Sequence, residues 1–174
     1  IIIHQHNGLF LHMVNSLINK IEVFGLHFAS LDIRQESSVH GKVLEAISQL
    51  QPGLLPGYLS LDTAGKMNLL ANVNGAASLE GITDPVHRDT LESVAAIKTI
   101  QQYNGQEGCS RYIISQCNSA LNAMEVFGLF LLGGWTKEEL KSDIVPVFET
   151  IEDLQQAAGI MTTLYSHPVY REHL

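Results

Sequence analysis

Three strand-like segments of this chain finish on polar residues: Arg34 in "ASLDIRQES", Ser115 in "RYIISQC" and Glu149 in "DIVPVFET". Side chains alternate along a strand, so Leu31 and Ile33 face one side while Ser30, Asp32 and Arg34 face the other. The same period puts Pro146 and Phe148 on one side and Val145, Val147 and Glu149 on the other. A guanidinium on a strand covered by helices needs partners, and α/β proteins collect ligands at the C-terminal ends of their strands. The three polar ends are therefore expected to share one ligand-binding mouth. Two plainer readings stand beside this one: Arg34 pairs structurally with Asp32, or Glu149 simply opens a helix, since "ETIED" places acidic residues favourably at a helix N-terminus.

Other reactive side chains carry less. His4, His6 and His12 in "HQHNGLFLH" have the imidazoles that zinc favours, but spacings of two and six do not stack on one helical face. They read as solvated surface residues. His40 follows the first charged segment and is expected near the same mouth, without an assigned chemistry. Cys117 has no nucleophile context and reads as a buried structural thiol. "GAASLEG" and "LLGGW" are turns, not phosphate-binding glycine loops.

The elements that must position these residues alternate in period. "GLFLHMVNSLINKIEVFG" repeats apolar residues at three- and four-residue steps, through Leu11, Val14, Leu17, Ile18 and Ile21, and stops at Gly25. It predicts a helix. "LHFASLDIR" follows as a strand and "SSVHGKVLEAISQL" as a helix capped by Ser37 or Ser38. The middle mixes Pro/Gly turns with a helix from about Ser60 to Asn72 and another after Pro85 through "VHRDTLESVAAIKTIQQYN". "RYIISQC" is then a strand before helix "SALNAMEVFGLFLLGG", and "DIVPVFET" a strand before helix "IEDLQQAAGIMTTLYS". Strands separated by helices imply parallel neighbours. Three strands are too few for a closed barrel of about 250 residues, which leaves a small open sheet or an arc of a larger parallel (β/α) barrel. The chain begins without methionine and ends without a polar tail, which favours the helix-rich arc.

Composition limits the partners. The 174 residues are 45% hydrophobic and 16% charged, a folded and soluble composition with enough chain for a core. A net charge of −8 and only ten Lys+Arg, without a basic run, argue against nucleic acid. Two cysteines, Cys109 and Cys117, are too few for a disulfide framework, so a reducing, cytoplasmic setting is expected. The apolar runs are shorter than the roughly 20 residues of a membrane span, so no membrane is expected as a partner.

"FGLHFASLDIRQESSVH", "YIISQCNSALNAMEVFGLF" and "VPVFETIEDLQQAAGIMTTLYSHPVYREHL" resemble, in this order, consecutive segments of bacterial-type phosphoenolpyruvate carboxylase. The resemblance covers nearly all 174 residues and is weakest between about Gln51 and Gly81. It implies that 1–174 is a single internal segment of a large α/β-barrel lyase. That enzyme joins bicarbonate to phosphoenolpyruvate with Mg²⁺ or Mn²⁺, releasing oxaloacetate and phosphate. By resemblance, Arg34 is a catalytic residue near substrate phosphate, Glu149 is one of two carboxylate metal ligands, and the parent is a homotetramer. The residue types suit those tasks, since Arg offers a fixed fork of donors to oxyanions and Mg²⁺ is commonly held by few carboxylates plus substrate oxygens.

The family's second metal-binding aspartate, in a Gly-Tyr-Ser-Asp motif, its glycine- and arginine-rich loops and its catalytic histidine motif are not in this stretch. The segment alone is therefore expected to be inert. Gln116 stands where the family commonly has methionine, and Ser115 is given no catalytic role. The alternative is a stand-alone, non-catalytic α/β binding or scaffold domain, which would have to protect its outer strands from pairing.

Overall fold

A computed structural model describes residues 1–25 and 29–174. A short helix α1 (Ile2–Gln5) precedes α2 (Leu11–Phe24), which closes at Gly25 with φ +54°. Then come β1 (Asp32–Glu36), α3 (Ser37–Leu50), α4 (Thr63–Ala71) and α5 (Pro85–Asn104). They are followed by β2 (Arg111–Ser115), α6 (Ala120–Leu132), β3 (Asp143–Pro146), α7 (Ile151–Ser166) and α8 (Pro168–His173). The three strands form one sheet in the order β1-β2-β3, parallel throughout, with Arg34 opposite Ile113 and Tyr112 opposite Ile144.

The predicted first strand is corrected in position. Its start falls on residues 26–28, outside the described residues, while Leu31 precedes β1 and bonds through its N–H to the carbonyl of Gly108. Pairing begins at Asp32 and runs on through Glu36, so Arg34 lies mid-strand rather than at the end. Glu149 lies three residues past β3, in the turn before α7. The predicted cap of α3 moves as well. Glu36 is the N-cap, without a side-chain cap bond, and the Ser37 hydroxyl donates instead to the Gln116 carbonyl at 2.8 Å. The helices from Asp62 and Asp84 start with regular caps, the Asp62 carboxylate accepting the Gly65 N–H and the Asp84 carboxylate those of Val86 and His87.

Alternation sorts the sheet into two faces. Tyr112, Ile114 and Ile144 are buried with Val43, Leu44 and Ile47 of α3 and Met124, Phe127 and Phe130 of α6. The residues between them, Arg34, Ile113 and Val145, are exposed or half-buried. Eleven of the thirteen residues of α6 are buried, which explains a sequence that is apolar all round rather than striped. Gly128 lets α6 approach α4, because a Cβ there would lie 2.6 Å from Cδ2 of Leu70.

The predicted stripe of α2 is present as a helix face but is not a core face here. No residue of α2 is buried, and Leu17, Ile18 and Ile21 stay 57%, 45% and 57% exposed. Nothing among the described residues covers that face.

Candidate active site at the C-terminal ends of the strands

Arg34 and Glu149 are 115 positions apart in sequence and meet across the sheet. Arg34 Nη2 donates to Glu149 Oε1 at 2.5 Å. The partner of Arg34 is thus not Asp32. Asp32 instead lies 3.8 Å from the Arg111 guanidinium, with Asp143 4.0 Å from the same group, a cluster at the opposite ends of the strands. Register explains the choice, since Asp32 is opposite Arg111 and Arg111 opposite Asp143.

The turn that presents Glu149 is built by a reciprocal cap. Thr150 Oγ1 accepts the Asp153 N–H at 3.0 Å, while Asp153 Oδ2 accepts the N–H groups of Glu149 at 3.2 Å and Thr150 at 3.0 Å. These backbone bonds hold the Asp153 carboxyl below its ordinary range. The Glu149 backbone is thereby fixed while its carboxylate stays free to choose a partner. Acid at this helix start is real, but it is Asp153 that does the capping, which leaves Glu149 facing Arg34.

The central strand β2 runs between β1, which carries Arg34, and β3, which precedes Glu149. Ser115 donates its hydroxyl to the Gln35 carbonyl at 3.3 Å and is occupied structurally. The next residue, Gln116, has φ +52° and an exposed side chain.

His40 does not reach this mouth. It is fully buried on the helix side, with Nε2 3.0 Å from the Tyr112 hydroxyl and Nδ1 without a partner among the described residues. Burial pushes its pKa down to about 4. Sequence reasoning missed a second buried group, Glu125 of α6, which accepts from the Tyr58 hydroxyl at 3.3 Å and from Asn122 Nδ2 at 3.2 Å. Desolvation raises its pKa, opposed by those two bonds. A carboxylate four residues after Leu121 in an apolar helix was a visible signal of a buried polar contact. Cys109 and Cys117 are buried free thiols, Cys117 pushed up to about 11 by burial. His4, His6 and His12 are all exposed, in or beside the first two helices.

Among the described residues no three His, Cys, Asp or Glu side chains gather as a metal cluster. Glu149 fits a hard dication as a single carboxylate ligand only. Cavities of about 520 Å³ and 430 Å³ lie beside α4 and α7, and neither is lined by Asp, Glu, Lys or Arg, so neither suits a doubly charged anion. No helix among the described residues is long and apolar enough to cross a membrane.

Residues 2–174 match the family model for phosphoenolpyruvate carboxylase. The chain belongs to the phosphoenolpyruvate carboxylase family. It is 34% identical over 174 residues to the phosphoenolpyruvate carboxylase of Synechocystis sp., covering 96% of this chain and 17% of that protein. The Xanthomonas campestris pv. campestris phosphoenolpyruvate carboxylase is 32% identical over 173 residues, 97% of this chain and 18% of that protein. The Azoarcus sp. phosphoenolpyruvate carboxylase is 34% identical over 164 residues, 88% of this chain and 17% of that protein. The chain therefore spans less than a fifth of the length of these family members.

Proposed function

We propose that these residues form one segment of a bicarbonate-dependent phosphoenolpyruvate carboxylase, an arc of its α/β barrel carrying Arg34 and Glu149 to the catalytic mouth. The observation that carries this reading is the contact between Arg34 in the middle of β1 and Glu149 in the turn after β3, across three parallel strands in a chain of this family. The arc reading rests on the one-sided cover of the sheet. Doubly wound sheets take helices on both faces, whereas a barrel keeps them outside and turns the other face inward. Asp32, Arg34, Arg111 and Asp143 fall on that inward face, where a closed barrel lets charges find each other.

Arg34 is the oxyanion holder. Its side chain is 57% exposed, so the guanidinium can exchange the Glu149 carboxylate for a phosphate or carboxylate oxygen of phosphoenolpyruvate. Glu149 is the metal-holding residue, its backbone fixed by the Asp153 cap while the carboxylate turns from Arg34 toward the cation. When bound, Mg²⁺ or Mn²⁺ supplies positive charge to substrate oxygens that gain negative charge as the enolate and phosphate form. The two residues neutralise each other at rest and separate in the loaded site, which keeps the empty mouth from carrying an unpaired charge.

The test uses the full-length protein that carries this segment. Oxaloacetate formation from phosphoenolpyruvate should require bicarbonate and a divalent metal, and Glu149→Ala should raise the metal concentration for half-activation by at least tenfold. Absence of bicarbonate-dependent product in the unaltered protein sinks the proposal. The isolated 174-residue chain should form no oxaloacetate, and measurable product from it would refute the view that the site is completed elsewhere.

A further inference from the structure

We propose that Gln116 is a substrate-contacting residue of the same mouth, its side-chain amide donating to an oxygen of the oxyanion held beside Arg34. The inference rests on the proposed carboxylase reading and adds a residue to it. Gln116 follows β2, the strand that lies between β1, which carries Arg34, and β3, which leads to Glu149; register sets Ile113 opposite Arg34, so Gln116 lies three residues further toward the C-terminal ends of the strands.

Its backbone is held in place from both sides. The Gln116 carbonyl accepts the Ser37 hydroxyl at 2.8 Å, the Cys117 N–H donates to Val147 O at 3.1 Å, and the Ser115 hydroxyl donates to Gln35 O at 3.3 Å. These bonds tie the turn to β1, to the start of α3 and to the segment after β3, around a φ of +52°, a left-handed conformation that costs a residue with a Cβ. Such strain persists where the surroundings over-determine it and is frequent in functional sites.

Glycine serves that conformation without the cost, and this chain uses it at Gly57 and Gly81, with φ +67° and +82°. At 116 the chain keeps a long amide instead. That amide is exposed and makes no hydrogen bond among the described residues, so folding does not explain its presence. A neutral amide offers two N–H donors to an oxyanion without competing with Arg34 for Glu149.

Steady-state kinetics on the full-length protein decide the matter. Gln116→Leu keeps the volume and the strained backbone but removes the amide, Gln116→Gly removes both the amide and the strain, and Gln116→Asn retains an amide. The leucine and glycine variants should raise the KM for phosphoenolpyruvate or for bicarbonate at least fivefold while kcat changes less than threefold. The asparagine variant should recover part of the loss. The substrate whose KM moves is the one the amide contacts. Leucine and glycine variants with both KM values within twofold of the parent, or with losses confined to thermal stability, overturn the inference. If those variants are normal while Arg34→Ala is inactive, only Gln116 is wrong. If the unaltered protein makes no oxaloacetate, the carboxylase reading and this inference fall together.

Discussion

At the scale of single residues, the charged pair and the buried histidine have opposite signatures. Arg34 and Glu149 are 57% and 32% exposed, and pairs so open contribute at most about 1 kcal/mol to stability. Arg34→Ala and Glu149→Ala should therefore shift the urea midpoint of this chain little, and a loss well above that figure would make the pair structural. His40 behaves the other way. Its folded pKa of about 4 lies below the unfolded value of 6.5, so between these the unfolded chain takes up the proton more readily. The stability this group supports is complete above pH 6.5 and is lost as the pH falls toward 4, by about 3 kcal/mol. Glu125, shifted upward, slopes in the opposite sense over part of that range, so the reading is a difference. Urea unfolding of His40→Leu should show a flatter pH dependence from 6.5 to 4 than the parent, and equal slopes would contradict the buried neutral imidazole. The face of β1 that carries Arg34 was legible in the sequence because a period of two holds within that strand, whereas Glu149 lies in the turn past β3, where that period no longer applies. The pairing of the two was not legible, because strand register decides which charges face each other, and register gave Asp32 to Arg111.

At the scale of elements, two glycines in helices separate close approach from empty space. A Cβ at Gly128 would lie 2.6 Å from Cδ2 and 3.1 Å from Cβ of Leu70, which is itself fully buried. Gly128→Ala should destabilise by about 1–3 kcal/mol, the crowding outweighing the usual helix preference for alanine. At Gly159 in α7 a Cβ meets nothing within 4 Å, and Gly159→Ala should stabilise by about 0.5–1 kcal/mol. Thermal unfolding of both variants checks the pair, and equal effects would mean α4 and α6 are not in contact there. Most elements could be read directly from the sequence. Helical periodicity and proline placed α5 within one residue of its observed bounds, and β-branched residues placed β2. The span of α3 was read correctly, but its cap was misread because Ser37 spends its hydroxyl on a carbonyl 79 positions away, a contact that local pattern does not record.

At the scale of the whole molecule, the chain buries one face of its sheet and leaves apolar surface on α2. Leu17, Ile18 and Ile21, together with Phe10 and Met13, are 45–59% exposed along one segment. The isolated chain should self-associate with rising concentration, and Leu17→Glu with Ile21→Lys should reduce that association in sedimentation measurements. A monomer at all concentrations would favour the alternative of a self-sufficient binding domain. That the α2 stripe finds no cover was not readable, because periodicity reports which face is apolar and says nothing about what packs on it.

The central claim is that Arg34 holds the substrate oxyanion in a carboxylase mouth. It is tested most directly by the bicarbonate-dependent rate of oxaloacetate formation in the full-length protein and its Arg34→Ala variant, at saturating metal. The account predicts a loss of at least 100-fold in kcat/KM for phosphoenolpyruvate with the thermal unfolding temperature unchanged, and an Arg34→Ala protein within threefold of the parent would contradict it.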